Sequence, residues 1–149
     1  MPFQAKITRA RWVLGPFTSE DMLAIGNVVA ESIKGRIQGG LNINDQPAKP
    51  LKPGRNGRRG YPEDKVRRGL MPYRDWTWTG RTLRSLKVTQ ASENRCVIGF
   101  TSPNADAIAH LNNRRERAFG VSPMDRKAMV SIIRAVLRRS RVIQVRKAA

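Results

Sequence analysis

Cysteine, histidine and acidic residues are what this chain has least of. The one cysteine, Cys96, excludes an internal disulfide and most cysteine-based zinc sites, and its alternating surroundings Arg95-Cys-Val-Ile mark it as a small core residue. The one histidine, His110, has no cysteine or carboxylate pair beside it and composes no recognisable metal site. Only 11 Asp and Glu are scattered over 149 residues, so no spacing proposes a paired general acid and base. No apolar run approaches the roughly 20 residues of a membrane span. The longest largely apolar window, residues 22–30, is interrupted by Gly26 and Asn27. A secretory pattern of basic start, apolar centre and small-residue cleavage site is missing, so a soluble protein of a reducing compartment, with no membrane partner, is expected. Neither an enzyme nor a cofactor is expected.

Basic residues, by contrast, are abundant. Lys and Arg number 29, for a formal net charge of +18 and a pI near 11.6. Residues 52–84 carry a net +7 and residues 114–149 a net +9, so two segments hold nearly all of the excess. Such asymmetry marks contact surfaces, and self-repulsion in an isolated subunit calls for an acidic partner. Hydrophobic residues at 40% still permit one modest core, and the length sets a single domain over 1–149.

The order of elements follows from periodicity. Trp12, Val13 and Leu14 form a short extended piece ending at Gly15-Pro16. Thr18 with Asp21 has capping-box spacing, and Met22, Ile25, Val29 and Ile33 recur every three or four residues, predicting a helix to about Ile37 that Gly39-Gly40 stops. Residues 41–75 hold five prolines and four glycines around Gly54-Arg-Asn-Gly-Arg-Arg-Gly60 and show no period, so they read as an extended arm or loop ordered by a partner. The glycine cluster is no P-loop: it lacks the terminal Lys-Ser/Thr and neither follows a strand nor is expected to open a helix. Trp76 and Trp78 fit one face of a partly buried strand, and residues 80–86 a short helical turn. Residues 87–91 and 95–100 then read as a hairpin around Ser92-Glu93-Asn94. A helix over 104–113 should bury Ala105, Ile108, Ala109 and Leu111. In the last helix Ser122 is the N-cap, Pro123 the first position and Asp125 the capping-box acid, ahead of an apolar stripe of Met129, Ile132, Ile133, Val136 and Leu137. Residues 139–149 read as a basic tail. The fold class expected is α+β: an antiparallel hairpin or small sheet against two main helices, with a long Gly/Pro/Arg-rich arm.

Four stretches resemble the small virion-morphogenesis proteins of tailed bacteriophages, the neck, tail-completion and tail-terminator proteins of the head–tail junction. Ile33-Lys-Gly-Arg-Ile-Gln-Gly resembles the segment closing that family's first helix, and Thr79-Gly-Arg-Thr-Leu-Arg-Ser-Leu the stretch before its hairpin. Val97-Ile-Gly-Phe resembles the hairpin's second strand. Ala107-Ile-Ala-His-Leu-Asn-Asn with Arg117-Ala-Phe-Gly-Val-Ser-Pro-Met-Asp resembles the family's ending, although Asn112-Asn-Arg-Arg-Glu-Arg replaces a Gly-containing loop. The resemblance implies a virion protein assembled in the host cytoplasm, a homo-oligomeric ring (sixfold, with twelvefold the alternative) that joins head to tail around the DNA channel. Its partners would be neighbouring neck, portal-adaptor or tail-tube proteins, with non-specific contact to DNA in transit. The competing reading is a stand-alone basic nucleic-acid-binding protein, although no zinc finger, RNA-recognition motif or helix-turn-helix is visible.

Interface candidates follow from charge. Arg114, Arg115 and Arg117 flank Phe119 as one exposed aromatic anchor, the alternative being a solvated loop with Phe119 in its own core. Arg55, Arg58 and Arg59 lie in the arm, and Arg67 and Arg68 follow. At 100° per residue Lys127, Arg134, Arg138 and Arg141 fall within about 60° of one another, a basic stripe beside the apolar one.

Overall fold

In the computed structural model, which describes residues 17–55, 59–72 and 80–148 and side chains as far as 139, helix α1 runs Ser19–Gln38. Its start is the expected capping box: the Asp21 amide donates to Thr18 Oγ1 at 3.1 Å and the Thr18 amide to Asp21 Oδ2 at 3.0 Å. Glu20 and Asp21 face the positive end of the helix dipole, and Gly39 closes the other end. Ile25, Val29, Ala30, Ile33 and Ile37 are buried, so the apolar stripe of the sequence is the buried stripe of the helix.

That stripe lies on a hairpin. Strands β1 (Leu86–Ser92) and β2 (Arg95–Phe100) pair antiparallel from Leu86 opposite Phe100 to Ser92 opposite Arg95, with a bulge between Val88 and Gln90. Helix α3 (Arg81–Ser85) feeds β1, and its Leu83 joins Leu86 and Ile98 beneath α1. After β2 comes α4 (Pro103–Asn113), then α5 (Pro123–Ala148), which packs along α1. Phe119, from the connection between them, meets Phe100 edge-on at 5.1 Å between centroids. The fold is α+β, a two-stranded antiparallel hairpin packed against helices, with α1 and α5 as the two long ones.

Three expectations need correction. Residues 41–75 are not without secondary structure: α2 (Tyr61–Arg67) forms directly after the glycine cluster, which therefore does open a helix. Pro62 suits its first turn, Glu63 and Asp64 its positive end, and Lys65 and Arg67 its negative end, signals that the surrounding proline and glycine concealed. Within α4 the inward face is Ala105 and Ala109 alone, whereas Ile108 and Leu111 are 46% and 61% exposed. The two alanines are one turn apart and let α4 approach the core closely; a wider stripe is not needed. The third correction concerns the end of the chain, where α5 continues as helix through Ala148 in place of a tail from 139. Trp12 to Leu14, Trp76 and Trp78 lie outside the described residues.

The contact between α1 and the hairpin rests on a missing side chain. A Cβ at Gly26 would stand 2.7 Å from Val88 Cγ2 and 3.1 Å from Cys96 Sγ. Gly26→Ala gains about 1 kcal/mol of helix propensity, but overpacking of a strand-borne valine costs roughly 1–3 kcal/mol. A net loss is expected, read as a lower urea midpoint with an unchanged slope. A stabilised variant would mean that the hairpin slides freely under α1.

Candidate functional site

Arg36 sits in the last turn of α1, on its inward side, and Asp125 in the first turn of α5; their side chains are 2% and 0% exposed. Arg36 Nε donates to Asp125 Oδ2 at 3.0 Å. Arg36 Nη2 donates to the carbonyls of Ala118 and Gly120, both at 2.9 Å, and Nη1 reaches the Leu41 carbonyl at 3.4 Å. Asp125 Oδ1 accepts the Ser32 hydroxyl at 2.6 Å, and Oδ2 accepts the Ser122 amide at 2.9 Å. The Asp125 amide returns a bond to Ser122 Oγ at 3.1 Å, completing the capping box expected for α5. A buried ion pair is tolerable only when its polar atoms are engaged, and here all three guanidinium nitrogens and both carboxylate oxygens are.

Around this pair two connections are sewn together. The Ile43 amide donates to the Arg117 carbonyl at 2.9 Å, and the Lys49 amide is shared by both oxygens of Glu116 at 2.8 and 3.0 Å. Asn42 Oδ1 holds the turn between them through the amides of Asn44 and Gln46. Asn113 Oδ1 shapes the other connection through the amides of Ala118 and Phe119. Gly120, at φ 145°, lies where any Cβ would collide with Ile43 Cδ1, so the strap formed by residues 41–49 lies flat on residues 116–124. Asp45 then caps α5, its Oδ2 accepting the Met124 amide at 2.9 Å. Asp45 itself adopts φ 58°, a left-handed conformation that aspartate tolerates better than most residues.

Burial alone would raise the Asp45 carboxyl. The Ser122 hydroxyl, the Met124 amide and the charges of Arg36 and Lys127 outweigh it and hold the group below the usual value, although Oδ1 makes no hydrogen bond of good geometry. Glu63 is likewise held low, by its own amide, that of Gly54 and that of Gly60, against a smaller desolvation. Its carboxylate thus ties Gly54 at 3.2 Å to Gly60 at 3.0 Å, the two ends of the glycine cluster. Burial pushes the half-buried Cys96 thiol up, away from the reactive thiolate. Among the described residues no three His, Cys, Asp or Glu side chains gather as a metal site, and no helix is long and apolar enough to cross a membrane.

Arg114, Arg115 and Arg117 are all exposed, and the Glu116 bond brings them beside Lys49, with Lys52 three residues further on, also exposed. Phe119 is not the exposed anchor: at 4% exposure it fills the core against Phe100. Its ring meets Phe100, and Asn113 holds its amide at 3.1 Å and its carbonyl at 3.4 Å. Arg55 and Arg59 are exposed at the two ends of the glycine cluster, and Arg67 and Arg68 at the end of α2. Lys127, Arg134 and Arg138 are exposed along α5, while the apolar stripe beside them is buried at Val136 and half-buried at Met129, Ile132, Ile133 and Leu137. Arg58 and the Arg141 side chain lie outside the described residues. Sequence reasoning missed Arg36, Glu116 and Lys49 as a set. The available signal was a lone glutamate inside Arg114-Arg-Glu-Arg, a sign that one charge in the run has an internal use. Comparison with protein-family models, curated proteins and solved structures returned no match.

Two outcomes follow. Asp125→Asn leaves the Arg36 guanidinium buried without its counter-charge, which should cost about 3–5 kcal/mol in urea unfolding; a loss under about 1 kcal/mol would mean that the pair is dispensable. Asp45 has a carboxyl lowered from 3.8, so its contribution is complete above that pH and disappears as pH falls through the lower folded value. Asp45→Asn should therefore melt below the parent at neutral pH, with the gap narrowing as the pH drops below 3.8. A gap independent of pH would assign the loss to geometry alone.

Proposed function

We propose that this chain is a structural subunit of the head–tail junction of a tailed bacteriophage, in a neck, tail-completion or tail-terminator role. One observation supports the reading most. The four stretches that carry the resemblance, far apart in sequence, supply one core: Ile33 and Ile37, Leu83 and Leu86, Ile98, then Ala109, Ala118 and Phe119. The polar residues of the first and last stretches meet as well, Arg36 against Asp125 and the carbonyls of Ala118 and Gly120.

In this role the chain works by shape and adhesion. Copies close into a ring around the DNA channel through heterologous contacts, sixfold by the resemblance, with twelvefold as the alternative, and the ring faces a portal-adaptor or tail-tube protein. The protein would reside in the virion after assembly in the host cytoplasm. Val66, Met71, Ile108 and Leu111 are exposed apolar residues that association would cover in this role. The basic stripe of α5 would meet an acidic neighbouring ring.

The solution mass and negative-stain images of the purified protein test this directly. Ring particles, and an extract in which they restore infectivity to separated heads and tails, are expected. A monomer or dimer with no activity in that extract would overturn the reading. Arg134→Glu with Arg138→Glu should fold normally, because both side chains are exposed, and should lose head–tail joining; joining at the parental level would return the stripe to plain solvation.

A further inference from the structure

We infer that the face formed by residues 41–52 and 112–117 binds the phosphodiester backbone of nucleic acid, without reading its sequence. The argument begins with where the local acids go. Glu116 is 8% exposed, and both its oxygens are occupied by the Lys49 amide. Asp45 is engaged at the Met124 amide. Each carboxylate is thereby engaged by a backbone amide, and among the described residues neither forms an ion pair with a surrounding lysine or arginine. Lys49, Lys52, Arg114, Arg115 and Arg117 are all exposed, and none of them forms an ion pair among the described residues, where the pairs are Lys34 with Glu31 and Arg36 with Asp125.

Five exposed cations are thus carried by two segments that the Lys49–Glu116 and Ile43–Arg117 hydrogen bonds hold together. One observation favours phosphate over an acidic protein as their partner, and a second lowers the cost of binding. Residues 112–117 carry no aromatic or large apolar side chain, although Leu111 is exposed just before them on α4, and the one aromatic nearby, Phe119, is buried. Protein interfaces draw most of their energy from aromatic and apolar anchors seated in pockets, whereas a phosphate backbone asks for exposed arginine and lysine with little else. The second observation is rigidity. Hydrogen bonds from Asn113, Glu116 and the Ile43 amide fix the backbone beneath the cations, so few degrees of freedom remain to be lost on binding beyond the side chains themselves. Contacts of this kind position a duplex and carry no sequence information. The surface lies within one subunit, so the inference holds for a monomer as for a ring. It also differs from the α5 stripe, which lies beside a half-buried apolar stripe and is the better candidate for a protein neighbour.

The test is fluorescence anisotropy of the full chain with a short DNA duplex of arbitrary sequence across a range of KCl, with polyglutamate as a competitor. Five neutralised phosphates would give a logarithmic salt slope of about −4.5 on duplex. Arg114→Gln with Arg115→Gln and Arg117→Gln should flatten the slope by about 2.7, whereas Arg134→Gln with Arg138→Gln should leave it within about one unit of the parent. A triple variant with the parental slope, a stripe variant that flattens it as much, or polyglutamate that displaces DNA at equal charge concentration would each overturn the inference. If the triple variant does not fold, Arg115→Gln alone, whose side chain makes no hydrogen bond described in the structure, should shift the slope by about 0.9; no shift there overturns it as well. The solution mass is recorded on the same samples. A parent that never assembles counts against the ring reading and leaves this surface standing; rings with no salt-dependent DNA binding do the reverse.

Discussion

The pairing of Arg36 with Asp125 is the constraint from which the rest is arranged. It joins the end of α1 to the start of α5, and the spare donors of the guanidinium reach carbonyls on both connections that cross between them. Charge in an interior is costly, and the cost is met here by occupying both carboxylate oxygens and by spreading the guanidinium over three segments. A hydrophobic pair of the same volume could hold the helices together. It could not direct two loops by their carbonyls at the same time. The ion pair therefore specifies loop placement, which apolar packing alone would leave open.

Loop placement in turn governs charge. Once residues 41–49 lie on residues 116–124, the two local acids bond backbone amides in place of the neighbouring cations, and the cations remain exposed. A net charge of +18 is therefore more than a matter of composition. At this face it reflects how the few acids are spent, in capping and tethering, and the surface stays positive as a consequence. The same habit recurs at Glu63, which ties Gly54 to Gly60 beside Arg55 and Arg59. In each case an acid that could quench a basic neighbour is engaged by main chain instead.

How much of this was legible follows from the range of each signal. Both capping boxes, the buried stripe of α1 and the hairpin were readable, because each depends on residues a few positions apart. Asp125 was read as a cap, and it is one, but its partner Arg36 lies 89 residues away and no local pattern announces a buried arginine. Residues 41–75 looked structureless for the same reason: the strap is held by bonds to residues 116–124, and proline and glycine masked the dipole-matched charges of α2. Phe119 could be read as an anchor or as core, since one aromatic in a basic run has no period; the choice was made by Phe100 across the chain. Ile108 and Leu111 were assigned inward by hydrophobicity alone, whereas the two alanines allow the closer approach.

The dependence of both connections on one guanidinium is most directly tested by native-state hydrogen exchange on Arg36→Gln. The amides of Ile43, Lys49, Ala118 and Met124 should lose protection together, with one shared opening free energy, while the paired amides of β1 and β2 stay closer to their parental values. Independent opening of the strap and the loop, or unchanged protection in both, would contradict the claim that Arg36 holds them as one unit.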